Sequence, residues 1–203
     1  MKYIILCGSN HSQINGVPRQ LVTINGERVL DRTIRLLREN GVDDISVTAM
    51  DPAFDSVDAN IIRYDSSGAW IKCFYLTDDP VTYIFGDVYF SPAAVKKIVE
   101  TETDSVAFFA SAPPFSAEYS KPWAEPFAFK VADVKLFHES VEKVETFRKQ
   151  ARFRRDPIAW ETWQVIKNTP LNIIDYNNYT VINDYTSDID CESDIEKLNK
   201  ALS

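Results

Sequence analysis

The chain has 203 residues, with 22 lysines and arginines against 30 aspartates and glutamates, so its formal net charge is −8. An acidic chain lacks the positive surface that nonspecific binding of nucleic acid requires, and we expect no nucleic-acid partner. A content of 12 phenylalanines, 9 tyrosines and 4 tryptophans excludes a disordered chain. No apolar run approaches the roughly 18 residues of a membrane helix, so no membrane partner is expected.

The pattern of apolar and polar residues alternates between strand-like and helix-like segments. In chain order it predicts a strand at residues 3–7, a helix at 29–40, strands at 45–49 and 60–64, a short helix at 69–76 and a strand at 81–85. It then predicts a helix at 92–100, strands at 105–110 and 127–131, helices at 133–152 and 156–167, a strand at 180–182 and a helix at 193–202. This order indicates an α/β fold with a mostly parallel central sheet flanked by helices, built as one domain over residues 1–203.

The cysteines indicate the compartment. Cys7, Cys73 and Cys191 are odd in number, lie far apart and form no C-x-x-C pair. This pattern predicts neither a disulfide framework nor a zinc site, and the cytoplasm is the expected location.

Two predicted strand ends carry residues suited to a ligand, because ligands of α/β sheets bind at the carboxyl ends of the strands. Gly8 follows the first strand and would let the backbone approach a ligand, although a tight turn needs the same residue. Asp87 follows the strand at 81–85, where a carboxylate either holds a divalent cation or favours the start of the next helix. Asp188 and Asp190 either complete a metal site with Asp87 or belong to a solvated helix N-terminus.

Several segments then resemble one family. Residues 6–12 (LCGSNHS) and 18–21 (PRQL) resemble the L-A-A-G-x-G-x-R and P-K-x-L motifs of the nucleotidyltransferases that make nucleotide-activated sugars or alcohols on a GT-A-like fold. Residues 84–88 (IFGDV) are similar to the strand whose terminal aspartate holds Mg²⁺ in that family, and residues 188–195 (DIDCESDI) resemble its closing D-I-D-T-P-E-D-L. The resemblance spans most of the chain and is weakest from about residue 111 to 170.

This resemblance implies a Mg²⁺-dependent nucleotidyltransferase. Such an enzyme transfers a nucleoside monophosphate from a nucleoside triphosphate to a sugar phosphate or similar phosphorylated acceptor, with release of pyrophosphate. The resemblance implies that Asp87 and Asp190 hold Mg²⁺ and that Arg19 stabilises charge at the transferring phosphate. It also implies a set of residues that contact the nucleotide or the second substrate, namely Leu6, Cys7, Gly8, Ser9, Asn10, Ser67, Gly68 and Lys121.

Three departures from the family motifs concern residues expected at the ligand. Asn10 stands in place of the second glycine, Ser12 in place of the arginine that contacts triphosphate, and Arg19 in place of the signature lysine. Arg19 keeps the positive charge with a different donor geometry. The charge lost at position 12 has several candidate replacements, namely Arg28, Lys121, Lys130 and the basic segment at 148–155.

Two other functions stay open on the sequence. A GT-A glycosyltransferase usually carries Asp-x-Asp at the strand end, and the sequence Asp87-Val88-Tyr89 argues against that class. A non-catalytic nucleotide-binding protein is the second alternative, because the loop at residues 8–12 is altered. Trp160 and Trp163 fit either a helix face in the core or a subunit contact, so a homo-oligomer is also an open expectation.

Overall fold

The structure, a computed structural model, describes residues 1–8, 13–66, 68–112, 123–172 and 175–203. The strands are β1 (Lys2–Leu6), β2 (Gln13–Ile14), β3 (Val17–Pro18), β4 (Thr23–Ile24), β5 (Glu27–Arg28), β6 (Ile45–Thr48), β7 (Asn60–Ile62), β8 (Val81–Phe85), β9 (Val88–Tyr89), β10 (Val106–Ala110), β11 (Pro126–Val131), β12 (Thr180–Val181) and β13 (Ser187–Asp188). The helices are α1 (Val29–Glu39), α2 (Pro92–Glu100), α3 (Val134–Lys149), α4 (Ala159–Ile166) and α5 (Glu192–Leu202).

Seven strands form the central sheet in the order β12-β10-β11-β8-β1-β6-β7. Within this sheet β11 runs antiparallel to both of its neighbours, and the remaining neighbouring pairs are parallel. Every residue of β8 is buried, as expected of a strand covered on both faces. Helix α1 contacts α2, and α3 contacts α4. The predicted α/β fold with a mostly parallel central sheet is confirmed.

Aromatic rings fill much of the core on the side of β10 and β11. Trp160 and Trp163 are 2% and 3% exposed, and their rings lie 5.0 and 5.6 Å from that of Phe108. Both tryptophans therefore pack in the core of the chain, which resolves the alternative between a core face and a subunit contact for these two residues.

The helix predicted at residues 69–76 is wrong. The structure has one 3₁₀ turn there, Trp70–Cys73, which contacts α3. A segment this short gains little from helix propensity, since helices of a few residues depend on tertiary packing. The ring of Trp70 packs edge-on against Phe74 and Phe85, at centroid distances of 5.6 and 5.3 Å, and these contacts hold the tighter turn.

The arrangement of β1 and β8 opens a crevice at their carboxyl ends. Strand β1 lies between β6 and β8, so the chain leaves it on one side and returns on the other, which is where α/β sheets bind ligands. Beyond β8, the Gly86 amide donates to the Leu6 carbonyl at 3.0 Å. A Cβ atom at Gly86 would lie 2.4 Å from Cys7 Sγ, so glycine alone allows this close approach.

Within the described residues, no helix has the length and apolar character needed to cross a membrane.

Candidate active site

A cleft of about 640 Å³ opens at the carboxyl ends of β1 and β8. Its walls bring together predicted site residues that lie far apart in the sequence. These are Leu6, Gly8, Arg19, Gly68, Asp87 and Asp190.

A small antiparallel ladder carries Asp190 to the cleft. Strand β9 begins directly after Asp87 and pairs with β13. The Ile189 amide donates to the Asp87 carbonyl at 2.8 Å. Ile189 is fully buried in a hydrophobic cluster beside α5, whereas Asp188 and Asp190 on either side of it line the cleft. The alternation of side chains along an extended segment explains why the D-I-D pattern presents two carboxylates and buries one isoleucine.

Arg19 bridges the two aspartates that the sequence predicts as metal ligands. It begins a 3₁₀ turn, Arg19–Leu21, directly after β3. Its Nη2 lies 2.8 Å from Asp87 Oδ2, and its Nη1 donates to Asp190 Oδ1. The side chain is 18% exposed, and its Nε is buried with no hydrogen-bond partner in the part of the chain that the structure describes. The guanidinium is therefore largely enclosed and keeps one donor unused.

The electrostatic environment of Asp87 favours its protonated form. Burial raises the pKa of Asp87 to about 6, against the opposing effect of the Arg19 guanidinium, and the nearby carboxylates of Asp188 and Asp190 raise it further. Burial and like charges thus outweigh the arginine. A carboxyl group shifted in this way within a cleft is a candidate functional group.

The two carboxylates of the cleft suit a Mg²⁺ ion that is bound together with substrate phosphates. In phosphate-handling sites this ion is typically held by one or two carboxylates together with substrate phosphates and water. Asp87 and Asp190 supply two carboxylates close enough for one guanidinium to contact both. The described residues contain no group of three or more histidine, cysteine, aspartate or glutamate side chains arranged to hold a metal. The cleft therefore fits an ion that arrives with phosphate ligands better than an ion caged by protein alone.

Leu6, Gly8, Ser66 and Gly68 form another wall of the cleft. The Ser66 hydroxyl donates to the Gly8 carbonyl, and a Cβ atom at Gly8 would lie 2.0 Å from Ser66 Oγ. Gly68, at φ +95°, and Leu6 complete this wall. Glycine at position 8 is therefore required for the two loops to meet.

Cys7, which the sequence predicts as a ligand contact, is buried and does not line the cleft. Its side chain is 4% exposed and does not line the cleft, and its amide donates to the Thr48 carbonyl at 3.0 Å. Burial, with a further effect of the Asp87 charge, raises the pKa of the Cys7 thiol well above its ordinary value. Cys7 therefore supports the crevice from beneath.

Four predicted contact residues, Ser9, Asn10, Ser67 and Lys121, lie outside the described residues, as does Ser12. Among the described bases considered as replacements for the charge at position 12, none lines the cleft. Arg28 pairs with Asp31, and Lys130 donates to the Ile98 and Val99 carbonyls at the end of α2. In the segment 148–155 the ion pairs are local, as between Arg148 and Glu145 or between Arg155 and Glu161.

Glu125 is a cleft residue that the sequence did not indicate. Its side chain is 1% exposed, and Oε1 accepts hydrogen bonds from Ser187 Oγ and the Asp188 amide, both at 3.0 Å. On its other side, the Glu125 amide donates to Ser111 Oγ at 2.8 Å. Glu125 therefore connects the central sheet to the segment that carries Asp190. Its proline-rich surroundings have no periodicity that could have distinguished it from a loop acid.

The charge of the cleft is unbalanced. Arg19 is the single basic side chain among the described lining residues. The acidic lining residues are Asp87, Glu125, Asp156, Asp188 and Asp190. An anionic ligand therefore meets more negative than positive charge among the described lining residues.

No protein-family model matches the chain, and no curated protein sequence matches it significantly. Solved structures do match over nearly the whole length. The inositol-1-phosphate CTP transferase of T. maritima has a TM-score of 0.59 at 14% identity, covering 98% of this chain and 95% of its own. HddC of Yersinia pseudotuberculosis has a TM-score of 0.55 at 16% identity, covering 100% and 99%. The chain shares their fold.

A candidate glucose-1-phosphate thymidylyltransferase of Bacillus anthracis, solved with a sucrose, has a TM-score of 0.63 at 13% identity and covers 99% of this chain and 94% of its own. HddC has also been solved in complex with GMP-PN. At such identities the likeness shows the fold alone, and it confirms the fold expected from the sequence resemblance.

Proposed function

We propose that the protein is a Mg²⁺-dependent nucleotidyltransferase that acts as one domain over residues 1–203. It transfers a nucleoside monophosphate from a nucleoside triphosphate to a sugar phosphate or a similar phosphorylated acceptor, and releases pyrophosphate. One observation carries the proposal: Arg19, Asp87 and Asp190 meet at the crevice of this fold. A cytoplasmic location accords with free cysteines and with a nucleoside triphosphate as substrate.

The chemistry asks for positioning and charge stabilisation. A phosphate oxygen of the acceptor attacks the α-phosphorus of the nucleoside triphosphate, a new phosphorus–oxygen bond forms, and pyrophosphate leaves. An acceptor phosphate is already ionised, so this step needs no general base. Phosphoryl-type transfer of this kind depends on holding the reactants in line and on stabilising the developing negative charge.

In this scheme Asp87 and Asp190 hold Mg²⁺, which when bound neutralises charge on the phosphate oxygens. The Arg19 guanidinium, with its unused Nε donor, stabilises charge at the transferring phosphate. Glu125 acts as a positioning residue, because it holds Ser187 and the Asp188 amide next to Asp190.

The nucleotide is proposed to bind along the wall formed by Leu6, Gly8 and Gly68. Ser9, Asn10 and Ser67 are also proposed to contact it. Cys7 contributes to this wall through packing beneath it. Lys121 is proposed to contact the second substrate.

The test is an assay with defined substrates. The protein is incubated with Mg²⁺, each of the four common nucleoside triphosphates and a panel of sugar phosphates, and pyrophosphate is measured. Release that requires both substrates supports the proposal. Nucleotide binding without turnover would indicate a non-catalytic nucleotide-binding protein instead, and transfer of sugar from a nucleotide sugar would indicate a glycosyltransferase.

A further inference from the structure

The carboxylates proposed to hold Mg²⁺ are already engaged. One terminal nitrogen of Arg19 contacts Asp87, and the other donates to Asp190. These carboxylates reach the cleft from different elements, one directly after β8 and the other directly after β13. Arg19 thus lies where a cation contacts both carboxylates.

A guanidinium and a divalent cation compete for these oxygens. Mg²⁺ demands a near-ideal octahedral geometry, so a guanidinium that holds one oxygen of each carboxylate restricts the orientation the ion needs. Two positive charges only a few ångströms apart also repel each other strongly in a partly buried site. A metal ion that arrives alone must therefore separate Arg19 from Asp87 and Asp190, and the loss of these two ion pairs is unfavourable in an enclosed cleft.

A metal ion that arrives with a nucleotide does not meet this cost. The phosphate oxygens offer a new anionic partner to a guanidinium that is 18% exposed and has an unused donor at Nε. The described lining contains no other base that could take this place.

We propose that Arg19 is an exchangeable counter-ion. It holds Asp87 and Asp190 in the metal-free protein and passes from these carboxylates to the phosphates when the metal–nucleotide complex binds. The protein thereby selects the metal–nucleotide complex over the free metal ion. This inference rests on the proposed function, because it takes Asp87 and Asp190 as the metal ligands.

The experiment measures binding in the absence of turnover. Binding of Mn²⁺ alone is followed by the electron paramagnetic resonance signal of the free ion. Complexes of Mn²⁺ with non-hydrolysable nucleoside triphosphate analogues are formed beforehand, one for each common nucleobase. Their binding is followed by calorimetry. Arg19→Ala and Arg19→Gln are compared with the wild type, and circular dichroism checks that each variant is folded.

The two ligands should respond with opposite signs. In Arg19→Ala and Arg19→Gln the affinity for Mn²⁺ alone should rise by at least about fivefold, and the affinity for the Mn²⁺–analogue complex should fall by at least about fivefold. Arg35→Ala is the matched control, since Arg35 also bridges two carboxylates, Glu27 and Glu39, outside the cleft. It should change neither affinity.

Each contrary result has a separate meaning. Unchanged or weaker binding of Mn²⁺ alone by both Arg19 variants would show that Arg19 does not compete with the metal ion for Asp87 and Asp190. Undiminished binding of the complex would overturn the transfer of Arg19 to phosphate. Asp87→Asn should lose most binding of both ligands, and an Asp87→Asn protein that binds both as well as the wild type would instead overturn the metal site of the proposed function.

Discussion

Arg19 and Arg35 each bridge two carboxylates, and they lie in contrasting places. On the surface of α1, Arg35 contacts Glu27 and Glu39, both at 2.8 Å, with a side chain that is 44% exposed. In the cleft, Arg19 contacts Asp87 and Asp190 with a side chain that is 18% exposed. The same chemistry of ion pairing therefore occurs on the solvated surface and in an enclosed crevice.

The pKa values of Glu27 and Asp87, one carboxylate from each bridge, shift in opposite directions. Hydrogen bonding to Arg35 lowers the pKa of Glu27, so the surface bridge favours the ionised acid. In the cleft, burial raises the pKa of Asp87 to about 6 although Arg19 is in contact with it. In the surface bridge the arginine stabilises the ionised acid. In the cleft, burial and the neighbouring carboxylates outweigh the stabilisation that Arg19 gives to ionised Asp87. Such an imbalance is typical of a site prepared for a charged ligand.

The largest expected effect is the loss of a cleft carboxylate. Asp87→Ala or Asp190→Ala should reduce pyrophosphate release to below about 1% of the wild-type rate, because each variant removes a proposed metal ligand. Glu39→Ala removes a carboxylate from the surface bridge and should leave the rate unchanged. Circular dichroism should show that all three proteins are folded. Full activity in Asp87→Ala and Asp190→Ala would contradict the metal assignment.

The bridging arginines themselves give the next effect. Arg19→Ala should lower kcat/KM by about 10²–10³-fold, since a donor to the transferring phosphate is lost. Arg19→Lys should lose less, because the ammonium keeps the charge without the planar donor geometry. Arg35→Ala should stay close to the wild type in the same initial-rate assay. Equal activities of the Arg19→Ala and Arg35→Ala proteins would show that Arg19 has no role in turnover.

Glu125 tests how the cleft bridge is positioned. Glu125→Ala removes the acceptor of Ser187 and of the Asp188 amide, and should lower the free energy of unfolding by about 1–3 kcal/mol. It should also raise the Mg²⁺ concentration needed for half-maximal activity, because the segment that carries Asp190 loosens. Glu125→Gln retains one acceptor oxygen and should recover most of this Mg²⁺ response. A loss of stability with an unaltered Mg²⁺ response would mean that Glu125 is merely structural.

The smallest effects concern stability and pH. Between its ordinary value and its raised pKa, Asp87 binds more protons in the folded chain than in the unfolded chain, so stability falls as pH rises toward about 6. In metal-free protein at about pH 7.5, Asp87→Asn should therefore increase the free energy of unfolding, on the order of 1–3 kcal/mol, with the gain vanishing near pH 4.

Glu27→Gln should act in the opposite direction. The lowered pKa of Glu27 stabilises the fold above the ordinary glutamate pKa, and this contribution is lost as pH falls. The variant should be less stable than the wild type at neutral pH by less than about 1 kcal/mol, as is usual for surface pairs. Urea unfolding at several pH values gives the free energy of unfolding of both variants relative to the wild type. If this difference changed with pH in the same direction for both variants, the comparison between cleft and surface would be contradicted.

Much of the fold could be predicted because it depends on local patterns. The apolar run at residues 81–85 is strand β8, and Ser91 caps α2 by accepting a hydrogen bond from the Ala94 amide at 2.9 Å. The sequence pattern predicts a helix at residues 69–76, whereas packing of Trp70 against Phe85 favours the 3₁₀ turn Trp70–Cys73. The two-residue strands β9 and β13 are too short to show any period in the sequence.

The sequence by itself determined the alternation of strands and helices and the presence of acids at strand ends, because periodicity, capping and turn chemistry act over a few residues. Only the tertiary structure decided that Arg19 lies between Asp87 and Asp190, with a separation of 171 residues from the latter, and that Glu125 holds the segment beside them. Electrostatic balance also depends on burial. Arg19 and Arg35 each join two acidic side chains, and the enclosure of the Arg19 bridge makes it a candidate active site.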